Sequence, residues 1–223
     1  MESFAAIWKR AAGRKGGEAA LENLLPEIKP PQALREIPDG RWLAQMTRRV
    51  FQAGFAWKVV ENKWDGFEAA FRGFDPPAVA NLSDGDIGRL LIDERIVRNR
   101  QKILSVPHNA AWLVELAAGH GTAAAFFADW PDADYVGLLT LLKQRGSRLG
   151  GFTGMMFLRS MGKDSFFLNE DIVAALVRAG VVQKKATSQK ELAAVQEAFN
   201  RWREESGRPL AHISRTLACS VGD

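Results

Sequence analysis

Apolar side chains recur at three- and four-residue intervals along nearly the whole chain, and no stretch keeps the period-two alternation of a strand. This pattern predicts an all-α fold. Phe4, Ile7 and Trp8 share one face of a first helix, and GRKGG after it reads as a loop. Leu21, Leu24 and Leu25 close a short second helix before PEIKPP interrupts the pattern. Trp42, Met46, Val50 and Phe51 define a longer helix for which Asp39 is the expected N-cap. Asp75 before Pro76 marks one helix start, and Ser83 with Asp86 has the spacing of a capping box. The apolar stretch from Ile96 to Leu116 contains Pro107, which is expected to kink or break it. Asn169, followed by Glu170 and Asp171, caps a helix that Gly180 stops. Ser188 and Glu191 form a second capping box, and a last helix follows Pro209.

The stretch KQRGSRLGGFTGMMFLRS, residues 143 to 160, departs from this pattern. It places Gly146, Gly150, Gly151 and Gly154 between two helical segments, although glycine weakens a helix interior by roughly 0.5–1 kcal/mol relative to alanine. Leu149 is expected to pack inward and Gly150 to Gly154 to form the turn, with Phe152 and Thr153 inside it. Met155 to Met161 form the next helix. Helix, glycine-bearing hairpin and helix is the pattern of a helix-hairpin-helix DNA-binding element. Backbone N–H groups at the second helix's start meet a phosphate oxygen, and glycine keeps side chains out of the way. Lys143, Arg145 and Arg148 add salt-dependent attraction to the nucleic-acid backbone. An ordinary helix–helix turn, with one glycine at a C-cap and one packed closely, fits the same residues.

Composition narrows the class. Hydrophobic residues are 47% of the chain and charged residues 25%, the balance of a globular protein. No apolar run approaches the roughly 20 residues that span a bilayer. The polar first residues do not read as a secretory signal, which makes a cytoplasmic protein the expectation. The single cysteine, Cys219, excludes an internal disulfide and any site built from several thiolates. A formal net charge of +4 permits an anionic partner without demanding one. His108 and His120 read as exposed helix-end residues. Nothing in the sequence sets an oligomeric state.

Three ordered segments carry a family resemblance. RRVFQAGFAWKVV (48–60), FDPPAVANLSDGDIGRLLID and the RNRQKI run up to residue 103 resemble DNA-3-methyladenine glycosylase I. The similarity extends over roughly residues 42 to 175, with the hairpin at 146–154. Residues 1–40 and 176–223 match poorly and read as divergent helices of the same domain. The resemblance implies a helix-hairpin-helix glycosylase with two lobes around a base-binding cleft. Such a protein flips an alkylated purine, 3-methyladenine above all, from double-stranded DNA and hydrolyses its N-glycosidic bond.

Residue by residue, the resemblance places Trp57 on the wall of the base pocket with Gln52 beside it, and Arg148, Gly150, Gly151, Phe152, Thr153 and Gly154 on the DNA. A helix running through RRVFQAGFAW is expected to carry Arg49 and Trp57 on one side, eight residues apart. Arg49 stands where the family carries a glutamate, which leaves two further readings. One is a lesion-binding homologue without catalysis. The other is a glycosylase of shifted specificity, with Arg49 on an acceptor edge of the base. Asn169 corresponds to a superfamily aspartate that stabilises the oxocarbenium ion, and is equally the helix cap named above. The family's structural zinc cannot be rebuilt, since Asp171 replaces one histidine and only His212 and Cys219 remain. No metal and no cofactor are expected. The helix after the hairpin offers no lysine for a Schiff base, so no strand-cleaving lyase activity is expected.

Overall fold

The structure, a computed structural model, describes residues 1–222. Among these residues it is built of helices and turns without a strand. The α-helices are α1 (Phe4–Lys15), α2 (Glu18–Glu22), α3 (Pro31–Arg35), α4 (Asp39–Gln52), α5 (Trp57–Asn62), α6 (Trp64–Ala70), α7 (Pro76–Ala80) and α8 (Asp84–Ile92). They continue as α9 (Arg100–His120), α10 (Ala123–Asp129), α11 (Tyr135–Arg145), α12 (Phe152–Met161), α13 (Glu170–Arg178), α14 (Gln189–Ser206) and α15 (Leu210–Cys219). The chain divides into two compact units. A central unit comprises Lys29–Trp130 and Leu138–Lys163, and a terminal unit comprises Met1–Ile28, Pro131–Gly137 and the residues from Asp164 on.

In the central unit α4 is the core helix. Its apolar face buries Trp42, Leu43, Met46, Val50 and Phe51 against α9 and α12. The Trp42 indole stacks on Phe127 at 4.9 Å between centroids and meets Phe157 edge-on at 5.8 Å. These geometries suit the quadrupoles of aromatic rings. A second aromatic set, Phe51, Phe67, Phe71 and Phe74, closes the side toward α6. Asp39 does not cap its own helix, whose N-cap is Pro38. Its carboxylate instead accepts hydrogen bonds from Ala123 N at 3.0 Å and Ala124 N at 2.8 Å, at the start of α10. The positive end of a helix dipole binds a carboxylate whichever element supplies it. The expected break at Pro107 is also corrected, because α9 remains one helix of 21 residues through that proline. Burial of Ile103, Val106, Ala110 and Leu113 along one side holds it together across the missing hydrogen bond. His108 is therefore a mid-helix residue, exposed as expected.

The terminal unit packs α1 against α14 and α15, and α13 against α15. Phe166 stacks on Phe199 at 4.1 Å, and Tyr135 meets Phe166 edge-on. Asp164 is buried, and its carboxylate caps α15 by accepting from Leu210 N at 2.9 Å and Ala211 N at 2.8 Å. Burial pushes that carboxyl above the usual range, against the lowering effect of the two hydrogen bonds. The capping boxes at Ser83–Asp86 and Ser188–Glu191 both form, as does the Asp75 cap.

Candidate base-binding site and hairpin

The last turn of α4 carries Arg49 and Gln52. The helix ends there because Ala53 turns extended and Gly54 takes a positive φ of 65°. Lys102 of α9 fixes this end. Its ammonium donates to Phe51 O at 3.0 Å and Ala53 O at 2.8 Å, satisfying carbonyls that a helix C-terminus leaves open. Burial, and then Arg148, lower the Lys102 pKa. Asn99 caps α9 by accepting from Lys102 N, which gives two residues of the RNRQKI segment a structural task each.

The continuous helix expected through RRVFQAGFAW is thus two helices, with Trp57 opening α5. The chain reverses enough across Gly54 to bring the residues together all the same. The Arg49 guanidinium lies 5.5 Å from the centre of the Trp57 ring, whose residue is 50% exposed. Polar neighbours hold the guanidinium. Arg49 Nη1 donates to Gln52 Oε1 at 2.8 Å, and Gln52 Nε2 donates to Glu61 Oε1 at 2.7 Å. Gln45, with its amide oxygen turned toward Arg49, accepts from Nε at 3.0 Å and Nη2 at 3.3 Å. Gln52 is 3% exposed, so its amide is a fixed link rather than a mobile surface group. Burial, then repulsion by Arg48, lower the Arg49 pKa, and Glu61 opposes them. Arg48 stacks on Trp64 at 4.0 Å and reaches the other Glu61 oxygen at 3.4 Å.

Sequence reasoning missed Gln45, Glu61 and Lys102. The first two had a visible signal in retrospect: Gln45 is four residues before Arg49, and Glu61 is four after Trp57, both one helical turn away.

The hairpin is shorter than expected. The α11 helix ends at Arg145, and α12 already begins at Phe152, so Phe152, Thr153 and Gly154 are helical rather than part of the turn. Gly151 has φ 61° and ψ −134°, and a Cβ there would meet nothing within 4 Å, which leaves the backbone open to a ligand. Gly154 serves packing instead: a Cβ would run into the Leu149 carbonyl and approach Leu142 at 3.3 Å. A Cβ on Gly150 would press Lys143 Cγ at 3.2 Å. Leu149 is fully buried, as expected, while Phe152 is 52% exposed at the helix start.

The α9 helix holds the turn. The Asn109 side chain, 1% exposed, accepts from Ser147 N at 2.7 Å and donates to Ser147 O at 3.2 Å. Arg148 adopts φ 63° and donates to Gln101 Oε1 at 2.9 Å, and Arg145 pairs with Glu115 at 2.5 Å.

Asn169 lies in the terminal unit at the head of α13. It is exposed, and its side chain accepts from Ile172 N at 3.1 Å, so it is the cap. The zinc candidates do not fit a metal. His212 Nε2 bonds the Pro26 carbonyl at 3.1 Å, and Cys219 is buried with Ala11, Ala12 and Leu21. Among the described residues, no group of three or more His, Cys, Asp or Glu side chains is placed to hold an ion. Nor, among them, is any helix long and apolar enough to cross a membrane.

The fold has solved counterparts. The chain aligns with 3-methyladenine DNA glycosylase I from Staphylococcus aureus at a TM-score of 0.52 and 21% identity, over 70% of this chain and 91% of that one. At that identity the likeness defines the class of fold, the all-α architecture of these glycosylases. The sequence comparisons point to the same proteins over part of the chain. Residues 37–136 match the family model of methyladenine glycosylase. DNA-3-methyladenine glycosylase 1 of Escherichia coli is 41% identical over 59 residues, 26% of this chain, and the match spans only 32% of that relative's length. DNA-3-methyladenine glycosylase of Haemophilus influenzae is 28% identical over 138 residues, 53% of this chain and 75% of that one. Over residues 37–136 the chain is thus similar to the methyladenine glycosylases.

Proposed function

We propose that this protein is a monofunctional DNA N-glycosylase that releases an alkylated purine from double-stranded DNA, with 3-methyladenine, the base named in its relatives, as the first substrate to test. The observation that carries the reading is the half-exposed Trp57 indole beside an anchored polar set of Arg49, Gln52 and Glu61. An aromatic platform flanked by fixed donors and acceptors is what a flipped base needs, because stacking holds its face and hydrogen bonds read its edge. The hairpin supports the partner. Gly151 offers open backbone at the start of a ten-residue helix, the positive end of its dipole. Contacts of that kind hold DNA without reading its sequence.

A purine alkylated at a ring nitrogen already carries positive charge and leaves readily, so extrusion and holding are the main demands on the protein. Water supplies the hydroxyl at C1′. The α12 helix contains no lysine, which fits hydrolysis without strand cleavage.

The test is incubation with methylated duplex DNA and chromatographic identification of the released bases. Release of 3-methyladenine by the wild type, and not by heat-treated protein, is the expected result. Binding of duplex without release of any base would favour a non-catalytic lesion binder.

A further inference from the structure

The Arg49 guanidinium carries five N–H donors. Gln45 takes Nε and one hydrogen of Nη2, and Gln52 takes one hydrogen of Nη1. Among the described residues, one hydrogen on each terminal nitrogen is left without a partner. The guanidinium centre is 5.5 Å from the centroid of the Trp57 ring, against 4.0 Å for Arg48 on Trp64, so Arg49 sits beside the indole rather than stacked closely on it. Glu61 fixes the Gln52 amide, so the guanidinium is oriented before any ligand arrives. Arg49 and Arg48 face Glu61, and Arg48 also feels Glu68, so Arg49 is the guanidinium of the pair without a carboxylate bonded to it.

Resting on the reading that this chain releases a flipped purine, we propose that Arg49 selects neutral 6-oxopurine bases with an unmodified N7, donating its two remaining hydrogens to O6 and N7 of a base stacked on Trp57. A guanidinium matches that acceptor pair bidentately, whereas adenine-type bases present a donor at the six position. The charge suits the chemistry as well. When the C1′–N9 bond of a neutral purine breaks, the electron pair goes to the base, which departs as an anion. Arg49 at O6 and N7 stabilises that charge as it forms. The anion then takes one proton from water, and the hydroxyl goes to C1′. A cationic purine leaves neutral, gains nothing from the guanidinium and is repelled by it before reaction. Undamaged guanine shares the acceptor edge but is held by three base-pair hydrogen bonds, so extrusion discriminates against it.

The probe is hypoxanthine in a duplex opposite thymine, assayed beside methylated duplex DNA with wild type, Arg49→Lys and Arg49→Glu, each checked for helical content. Wild type is expected to release hypoxanthine faster than 3-methyladenine. Arg49→Lys, which keeps the charge and loses the fork, should slow hypoxanthine release at least tenfold more than it changes 3-methyladenine release, so the ratio of the two rates is the readout. Arg49→Glu should abolish hypoxanthine release and invert that ratio in favour of 3-methyladenine. Release of 3-methyladenine without hypoxanthine, or undiminished hypoxanthine release by Arg49→Lys, overturns this inference and leaves the proposed function standing. Release of no base from either substrate overturns both.

Discussion

Arg49 and Trp57 show how much one position decides. The indole keeps half its surface in solvent although Phe51, one residue before the α4 end, is fully buried. An exposed tryptophan beside a buried polar network is a costly arrangement unless something stacks on it. Trp57→Ala is accordingly expected to lower single-turnover base release by about 10- to 100-fold, within the range of about 1–3 kcal/mol that base stacking supplies. Thermal stability should change little, because the side chain is not part of the core. A stability loss as large as the activity loss would make Trp57 a structural residue.

At the scale of elements, the hairpin is a turn held from behind. Asn109 satisfies both backbone groups of Ser147, and it is nearly fully buried. Asn109→Ala strands those groups, at a cost of about 1–3 kcal/mol each when buried. It should weaken binding of damaged and undamaged duplex equally in a gel-shift titration. Gly151→Leu should do the same by occupying the open approach and straining a positive φ, while circular dichroism stays helical. Duplex binding unchanged in both variants would reduce the hairpin to a structural turn.

The capping box of α14 gives a separate, pH-dependent prediction. Backbone hydrogen bonds from Ser188 and Thr187 and the Ser188 hydroxyl hold the Glu191 carboxyl down to about 2. Its contribution is present above the ordinary carboxylate range and is lost as pH falls toward 2. Acid unfolding of Glu191→Gln, followed by far-ultraviolet circular dichroism, should therefore show a shallower loss of stability between pH 5 and about 2 than the wild type.

For the whole molecule, the place where the resemblance implies a zinc is relevant. The chain ends that would carry ligands are joined by ordinary packing. In the terminal unit, Trp8 and Cys219 pack with Ala11, Ala12 and Leu21, while Arg208 stacks on Trp8 at 3.8 Å. Burial of apolar surface at about 25 cal/mol per Å² replaces a coordination bond as the tie. Elemental analysis of protein purified without added metal should find well under one zinc per chain, and chelator should leave the melting temperature unchanged. One zinc per chain would mean that His212 gives up its bond to Pro26.

The sequence by itself determined the helices and most of their ends. Asn169, Ser83, Ser188 and Asp75 cap the helices that directly follow them, because a cap is a contact three residues long. It also carried the resemblance to methyladenine glycosylases, through segments in a shared order, and it named Arg49, Gln52 and Trp57. Tertiary structure decided what those residues touch. Asp39 caps a helix more than eighty residues away, α9 continues through Pro107, and Gly154 serves packing rather than the turn. It also broke the helix expected to join Arg49 to Trp57, yet brought them together across Gly54 with Gln45 and Glu61 around them. The physical reason is one of range. Propensity, capping and periodicity act within about a turn, whereas a buried hydrogen bond or a packed glycine depends on which distant element folding sets against it.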